Sequence, residues 1–134
     1  MQFATIFYTL AMLFICAFAA PLEVRQETVS NVKCTSKTPL DFHTSNVALL
    51  QICGGIAGSI QKCQGSPTST VGQSGNVRFT ITPVVEGDTI NISKGRWEQG
   101  IKAAFAVCGQ NIPFTATFTG GARKGDVNVV YESV

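Results

Sequence analysis

Apolar residues recur along this chain in distinct patterns, and each pattern predicts a different element. From Phe3 to Ala20 nearly every position is apolar, and Met1 to Pro21 carries no charge. Asn46 to Gln64 shows helical spacing, with Leu49, Ile52, Cys53, Ile56, Ile60 and Cys63 on one face. Ser45 or Asn46 caps its start and Gly65 stops it. Gly54, Gly55 and Gly58 weaken that helix, each by up to about 1 kcal/mol relative to Ala. Ser66 to Asn76, rich in Gly, Ser, Thr and Pro, reads as a loop. Val77, Phe79 and Ile81 then alternate with Arg78, Thr80 and Thr82, the period of a strand covered on one side, which Pro83 ends. Glu86-Gly87-Asp88 reads as a turn, and Thr89-Ile90-Asn91-Ile92 as the returning strand.

The second half repeats the scheme. Ser93 caps a helix from Lys94 to Cys108, whose stripe is Trp97, Ile101, Ala104, Phe105 and Cys108, with Gly109 just past its end. Phe114, Ala116 and Phe118 alternate with Thr115, Thr117 and Thr119. After the loop from Gly120 to Gly125, Val127, Val129 and Tyr131 alternate with Asn128, Val130 and Glu132. The halves also echo each other in residues, with Cys63 and Cys108 closing the helices and Gly87-Asp88 and Gly125-Asp126 preceding the return strands. The order α-β-β-α-β-β predicts an α+β fold. Two helices cover the apolar face of a mainly antiparallel four-stranded sheet, giving a two-layer α/β sandwich.

The N-terminal run ends in Ala17-Phe18-Ala19-Ala20-Pro21, a small-residue site of the kind signal peptidases cut, so residues 1–19 read as a secretory signal peptide. Removal after Ala19 leaves 115 residues, still at a net charge of +2, with no second apolar run long enough to span a bilayer. Residues 20–45 are polar and read as an extended, pro-like arm tied down through Cys34, followed by a single domain over residues 46–134. Leu22-x-x-Arg25 resembles a fungal processing site. The alternative is an ordinary N-terminus.

Of five cysteines, Cys16 leaves with the signal, and Cys34, Cys53, Cys63 and Cys108 make two disulfides in a secreted chain. On the predicted helix Cys53 and Cys63 stand about 15 Å apart, beyond disulfide reach. The pairings left are Cys34–Cys53 with Cys63–Cys108, or Cys34–Cys63 with Cys53–Cys108. Metal binding is disfavoured, because no C-x-x-C pair occurs and His43 is the only imidazole.

Charged residues make up only 13%, so no nucleic-acid-binding surfeit exists, and 45% hydrophobic content argues against disorder. No nucleophile elbow, phosphate loop, zinc-protease or dinucleotide motif appears, so no cofactor is expected and the chain reads as a non-enzyme. His43 follows Asp41 but lacks a nucleophile motif, which leaves a small hydrolase as a minor reading. Asp88 and Asp126 occupy equivalent hairpin positions, where turn formation explains both. Trp97 belongs to the core before it belongs to a sugar site. Asn91-Ile92-Ser93 is a glycosylation sequon. Arg123 and Lys124, with Lys94 and Arg96, form a candidate basic patch. The Thr/Asn strand faces, with Thr115 and Thr117 foremost, offer hydroxyls and amides for glycan contacts, and an exposed strand edge offers a route to a homodimer.

Over residues 46–134, the element order, the Trp97-to-Cys108 helix and the closing Gly125-Asp126-Val127 resemble small secreted fungal proteins. These are the necrosis-inducing effector family and the killer toxins of similar structure. A fungal glycan-binding lectin family shares the order. The resemblance implies a secreted, effector-type protein that binds an extracellular protein or glycan of a host, competitor or cell wall, or regulates the fungus itself.

Overall fold

The structure is a computed structural model that describes residues 28–56 and 61–134. The signal peptide, the Arg25 site and the Gly58 and Ile60 positions of the predicted first helix lie outside the described residues. The elements in chain order are β1 (Val29–Cys34), α1 (Phe42–Leu50), a 3-10 turn (Ile52–Gly54), β2 (Thr70–Ser74), β3 (Val77–Pro83), α2 (Lys94–Cys108), β4 (Phe114–Gly121) and β5 (Asp126–Ser133). The fold class is α+β. The strands form one antiparallel sheet in the order β1-β4-β5-β3-β2.

The sheet is sided as the alternation requires. Val77, Phe79 and Ile81, Phe114, Ala116 and Phe118, and Val127, Val129 and Tyr131 are all buried beneath the helices. α2 lays Trp97, Ile101 and Ala104 on this face, and Trp97 packs edge-on against Phe79 at 5.7 Å between centroids. Its close approach requires Gly100, where a Cβ would stand 2.4 Å from the Phe118 ring. α1 sits on β2 and β3 by the converse device: Gly72 of β2 faces its backbone, and a Cβ there would stand 2.0 Å from the Ala48 carbonyl oxygen. The Trp97 indole N–H donates to Leu49 O at 3.2 Å and links the two helices.

Four sequence expectations are corrected. First, the sheet has five strands, not four. β1 comes from the supposed arm and β2 from the supposed loop. Both are edge strands with little apolar alternation. β1 is also bulged between Ser30 and Lys33, with Asn31 at a φ of 51°, which breaks any period of two.

Second, Thr89–Ile92 is no strand. It makes only an isolated bridge from Ile90 to Ala122, and β3 pairs instead with β2 and β5. Ile90 and Ile92 alternate because they plug the end of the core. Asp88 and Asp126 are therefore not equivalent: only Asp126 stands in a hairpin of the sheet.

Third, the first helix covers 42–50 rather than 46–64. Asp41, not Ser45 or Asn46, caps it by accepting from Thr44 N, and Ser45 is buried inside it. Past Leu50 the chain turns over, because Cys53, Gly54 and Gly55 all take positive φ (53°, 74° and 124°), which no α-helix continues through.

Fourth, that reversal overturns the disulfide argument. Cys53 and Cys63 are not on one helix; their Cα atoms are 5.2 Å apart and they are bonded to each other. Cys34 pairs with Cys108, with Cα atoms 5.5 Å apart, so neither pairing expected from the sequence occurs.

Candidate functional site

Among the described residues, the helices cover one face of the sheet and no element covers the other. On that outer face β4 presents Thr115 and Thr117, β3 presents Thr80 and Thr82, and β5 presents Asn128 and Val130. The register sets Asn128 between Thr117 and Thr82, and Val130 between Thr115 and Thr80. β1 adds Lys33 opposite Thr115. Lys33, Thr82, Thr115, Thr117, Asn128 and Val130 line a shallow trough of about 420 Å3, and Thr80 lies outside it. The Thr117 hydroxyl donates to Asn128 Oδ1 at 3.2 Å, which orients the amide. At the edge of the face Arg78 and Glu132 form a half-exposed ion pair at 3.3 Å, worth at most about 1 kcal/mol. No aromatic ring stands among the residues that line the trough.

Arg123 and Lys124 do not join this surface. They are exposed in the β4–β5 loop, which is held from the far side by a buried carboxylate: Lys124 N and Thr89 N donate to the two oxygens of Asp88 at 2.9 and 2.8 Å. Asp126 accepts from Gly120 N at 2.7 Å in the same hairpin. Both aspartates are therefore spent on backbone. Arg96 reaches this end of the sheet and donates to Thr119 O. The backbone N–H of Lys94 donates to Gln61 O at 2.8 Å, at the start of α2. Asn91 is not on the sheet. Its backbone N–H donates to Gly121 O at 2.9 Å beside the same hairpin, and Asn91 is not among the residues that line the trough.

His43 is exposed in the first turn of α1. Its neighbour Asp41 is engaged as a cap: Thr44 N and Thr44 Oγ1 both donate to Oδ2 at 2.8 Å. These bonds hold the Asp41 carboxyl below its ordinary range, first through the Thr44 amide and then through its hydroxyl. Trp97 is fully buried, as a core residue should be. Among the described residues no group of three or more His, Cys, Asp or Glu side chains could hold a metal ion. No described helix is long and apolar enough to cross a membrane.

A second concavity, invisible in the sequence, opens between the two helices. Its floor holds a buried polar cluster: Ser45 Oγ lies 2.6 Å from Tyr131 OH, which donates to Asn111 O at 3.3 Å. Ser45 and Tyr131 are 86 residues apart, so no local spacing announces them. The one hint is Tyr131 itself, because a tyrosine at an inward strand position needs a partner for its hydroxyl.

No family model, curated protein or solved structure matches the chain.

Proposed function

We propose that the chain is a secreted, effector-type fungal protein that acts by recognition rather than by turnover, with a host, competitor or cell-wall component as its target. The observation that carries this reading is the uncovered outer face. A sheet that commits most of its apolar positions to one side leaves a field of hydroxyl and amide groups on the other, interrupted by Val130. Two disulfides bracket this scaffold, one of them bonding the end of β1 to the end of α2, and suit it to an oxidising exterior. The resemblance in element order to secreted fungal effectors points the same way.

The test applies the oxidised protein to plant cells, to competing microbes and to the producing fungus, together with a pull-down from cell-wall and host extracts. A growth or necrosis response, or a saturably bound partner, is expected. Neither response nor partner in any arm would overturn the reading.

Glycan binding is the second reading, favoured by the hydroxyl and amide lining of the trough. Binding on a glycan array that is lost in a Thr115→Ala, Thr117→Ala double variant would establish it. Binding that survives the double variant would move the contact elsewhere.

A further inference from the structure

We propose that the cleft between α1 and α2 is a binding site for a neutral phenol. The argument starts from hydrogen-bond counting at its floor. Tyr131 has one hydroxyl proton, and Asn111 O can only accept. With Tyr131 donating to Asn111 O, Ser45 donates to Tyr131, and the Ser45 lone pairs are left for an incoming donor. With the chain of bonds reversed, Tyr131 accepts from Asn111 Nδ2 at 3.5 Å and donates to Ser45, and the Ser45 proton is left for an incoming acceptor. Either way a serine only 2% exposed keeps one bonding position where it lines the cleft. A hydroxyl is the group that satisfies both arrangements.

The walls select the rest of the ligand. Phe79 floors the cleft, and Phe42 and Phe105 face it from the two helices, so an aromatic ring finds edge and face contacts. Phe42 is 66% exposed although it lines the cleft, and an occupant would cover a ring that now stands in water. Glu98 and Lys102, one turn apart on α2, put opposite charges on the rim and favour neither sign of ligand. The volume is about 270 Å3. A dry cavity of roughly 150 Å3 holds benzene, so a ring with a hydroxyl and a short substituent fits. The site does not depend on the outer face and stands or falls separately from it.

The phenol has two sources, a free small molecule or a tyrosine side chain. Titration of the oxidised protein with p-cresol, toluene and N-acetyltyrosinamide, followed by amide chemical shifts, separates them. The expected result is saturable p-cresol binding, with shifts at Ser45, Phe105 and Asn111 and a preference over toluene of about five- to tenfold. Ser45→Ala should abolish that preference while near-UV circular dichroism stays native. Phe42→Ala, an exposed change without folding cost, should weaken both ligands several-fold. A capped tyrosine that binds at least as well as p-cresol names a protein partner; weaker binding names a free phenol. No saturable shift, shifts confined to other surfaces, or equal binding of toluene and p-cresol would overturn the proposal.

Discussion

The two helices cover the same face of one sheet, yet they are held there by different forces. α2 runs 15 residues and is seated by burial, with Trp97, Ile101 and Ala104 in the core and Gly100 pressed against Phe118. α1 runs nine residues and buries only Ser45 and Ala48. It is held instead by directed contacts: Ser45 to Tyr131, Leu49 O to Trp97, Gln51 Oε1 accepting from Gln73 N, and the close seat of Ala48 on Gly72. The difference matters for function, because dispersion and burial tolerate small shifts while hydrogen bonds and a backbone contact do not. α1 is the wall of the cleft with fewer apolar anchors, and one of the residues that set its register, Ser45, also lines the cleft. A cystine lies just past α1 and another at the last residue of α2, and they differ as well: Cys34–Cys108 spans 74 residues and Cys53–Cys63 only 10.

The largest effect expected is at the long staple. Chain entropy assigns a loop of that size about 4–5 kcal/mol and the short one about 3 kcal/mol. Replacing Cys34 and Cys108 by alanine should therefore lower the urea midpoint more than replacing Cys53 and Cys63. It should also free the C-terminal turn of α2 from β1. Equal losses would mean that the two helices are not anchored as differently as their contacts indicate.

The glycine seats come next. Gly72→Ala sets a methyl against the Ala48 carbonyl, which is backbone and cannot swing aside, so a loss of about 2–3 kcal/mol is expected. Gly100→Ala meets a ring rather than backbone and recovers helix propensity, so about 1 kcal/mol is expected. Hydrogen exchange should show Gly72→Ala releasing the α1 amides while those of α2 stay protected. Uniform loss of protection would break the distinction.

The same contrast explains what could be read from the sequence. α2 and the three central strands were legible because burial writes itself as period: Trp97 to Cys108 at helical spacing, and Phe79, Phe118 and Val129 in alternation. α1 was misplaced because the apolar recurrence of Ile52, Cys53 and Ile56 runs on past a helix that has already ended. These residues reach the core from a turn with positive φ, and Ile52 and Ile56 are fully buried there without helical geometry. β1 and β2 were missed because edge strands bury little. Of the candidate site, Thr115, Thr117 and Asn128 fell together as alternation requires, since each strand's outward residues must share a face. Arg123 and Lys124 did not join them, because Asp88 holds their loop away at the sheet's end. The Ser45–Tyr131–Asn111 cluster was beyond any sequence pattern, because it joins three elements through single side chains.

A smaller effect tests that cluster. Tyr131→Phe removes the hydroxyl that Ser45 meets at 2.6 Å while keeping the stacked ring 4.4 Å from Phe79. A loss of about 1 kcal/mol is expected in urea unfolding, the net worth of one such bond plus part of the cost of leaving Ser45 unpaired. The Ser45→Ala, Tyr131→Phe double variant should lose less than the sum of the two single ones, since the Ser45–Tyr131 bond is then counted once, while the Asn111 bonds to the hydroxyl are lost wherever Tyr131 is changed. A double variant as unstable as the sum of the single ones would show that Ser45 and Tyr131 do not act as a pair.

The smallest effect lies at the start of α1 and is read through pH. Asp41 accepts from the Thr44 amide and hydroxyl more strongly as a carboxylate than as a neutral acid, which holds its carboxyl below the ordinary value of 3.8. A group whose folded pKa is depressed gives stability that is complete above the unfolded value and fades as pH falls through the folded one. The cap should therefore be intact at neutral pH and weaken only below 3.8, with the neighbouring His43 charge adding to the depression. α2 has no such dependence, because its cap is the neutral Ser93 hydroxyl, which accepts from Arg96 N. The amide shift of Thr44 should titrate in that acid window while that of Arg96 stays flat. Asp41→Asn, which keeps a capping oxygen but cannot ionise, should remove the titration and leave the helix in place. If the Thr44 amide still titrates in that variant, the pH response belongs to another group, and α1 is not fastened at its start by the aspartate.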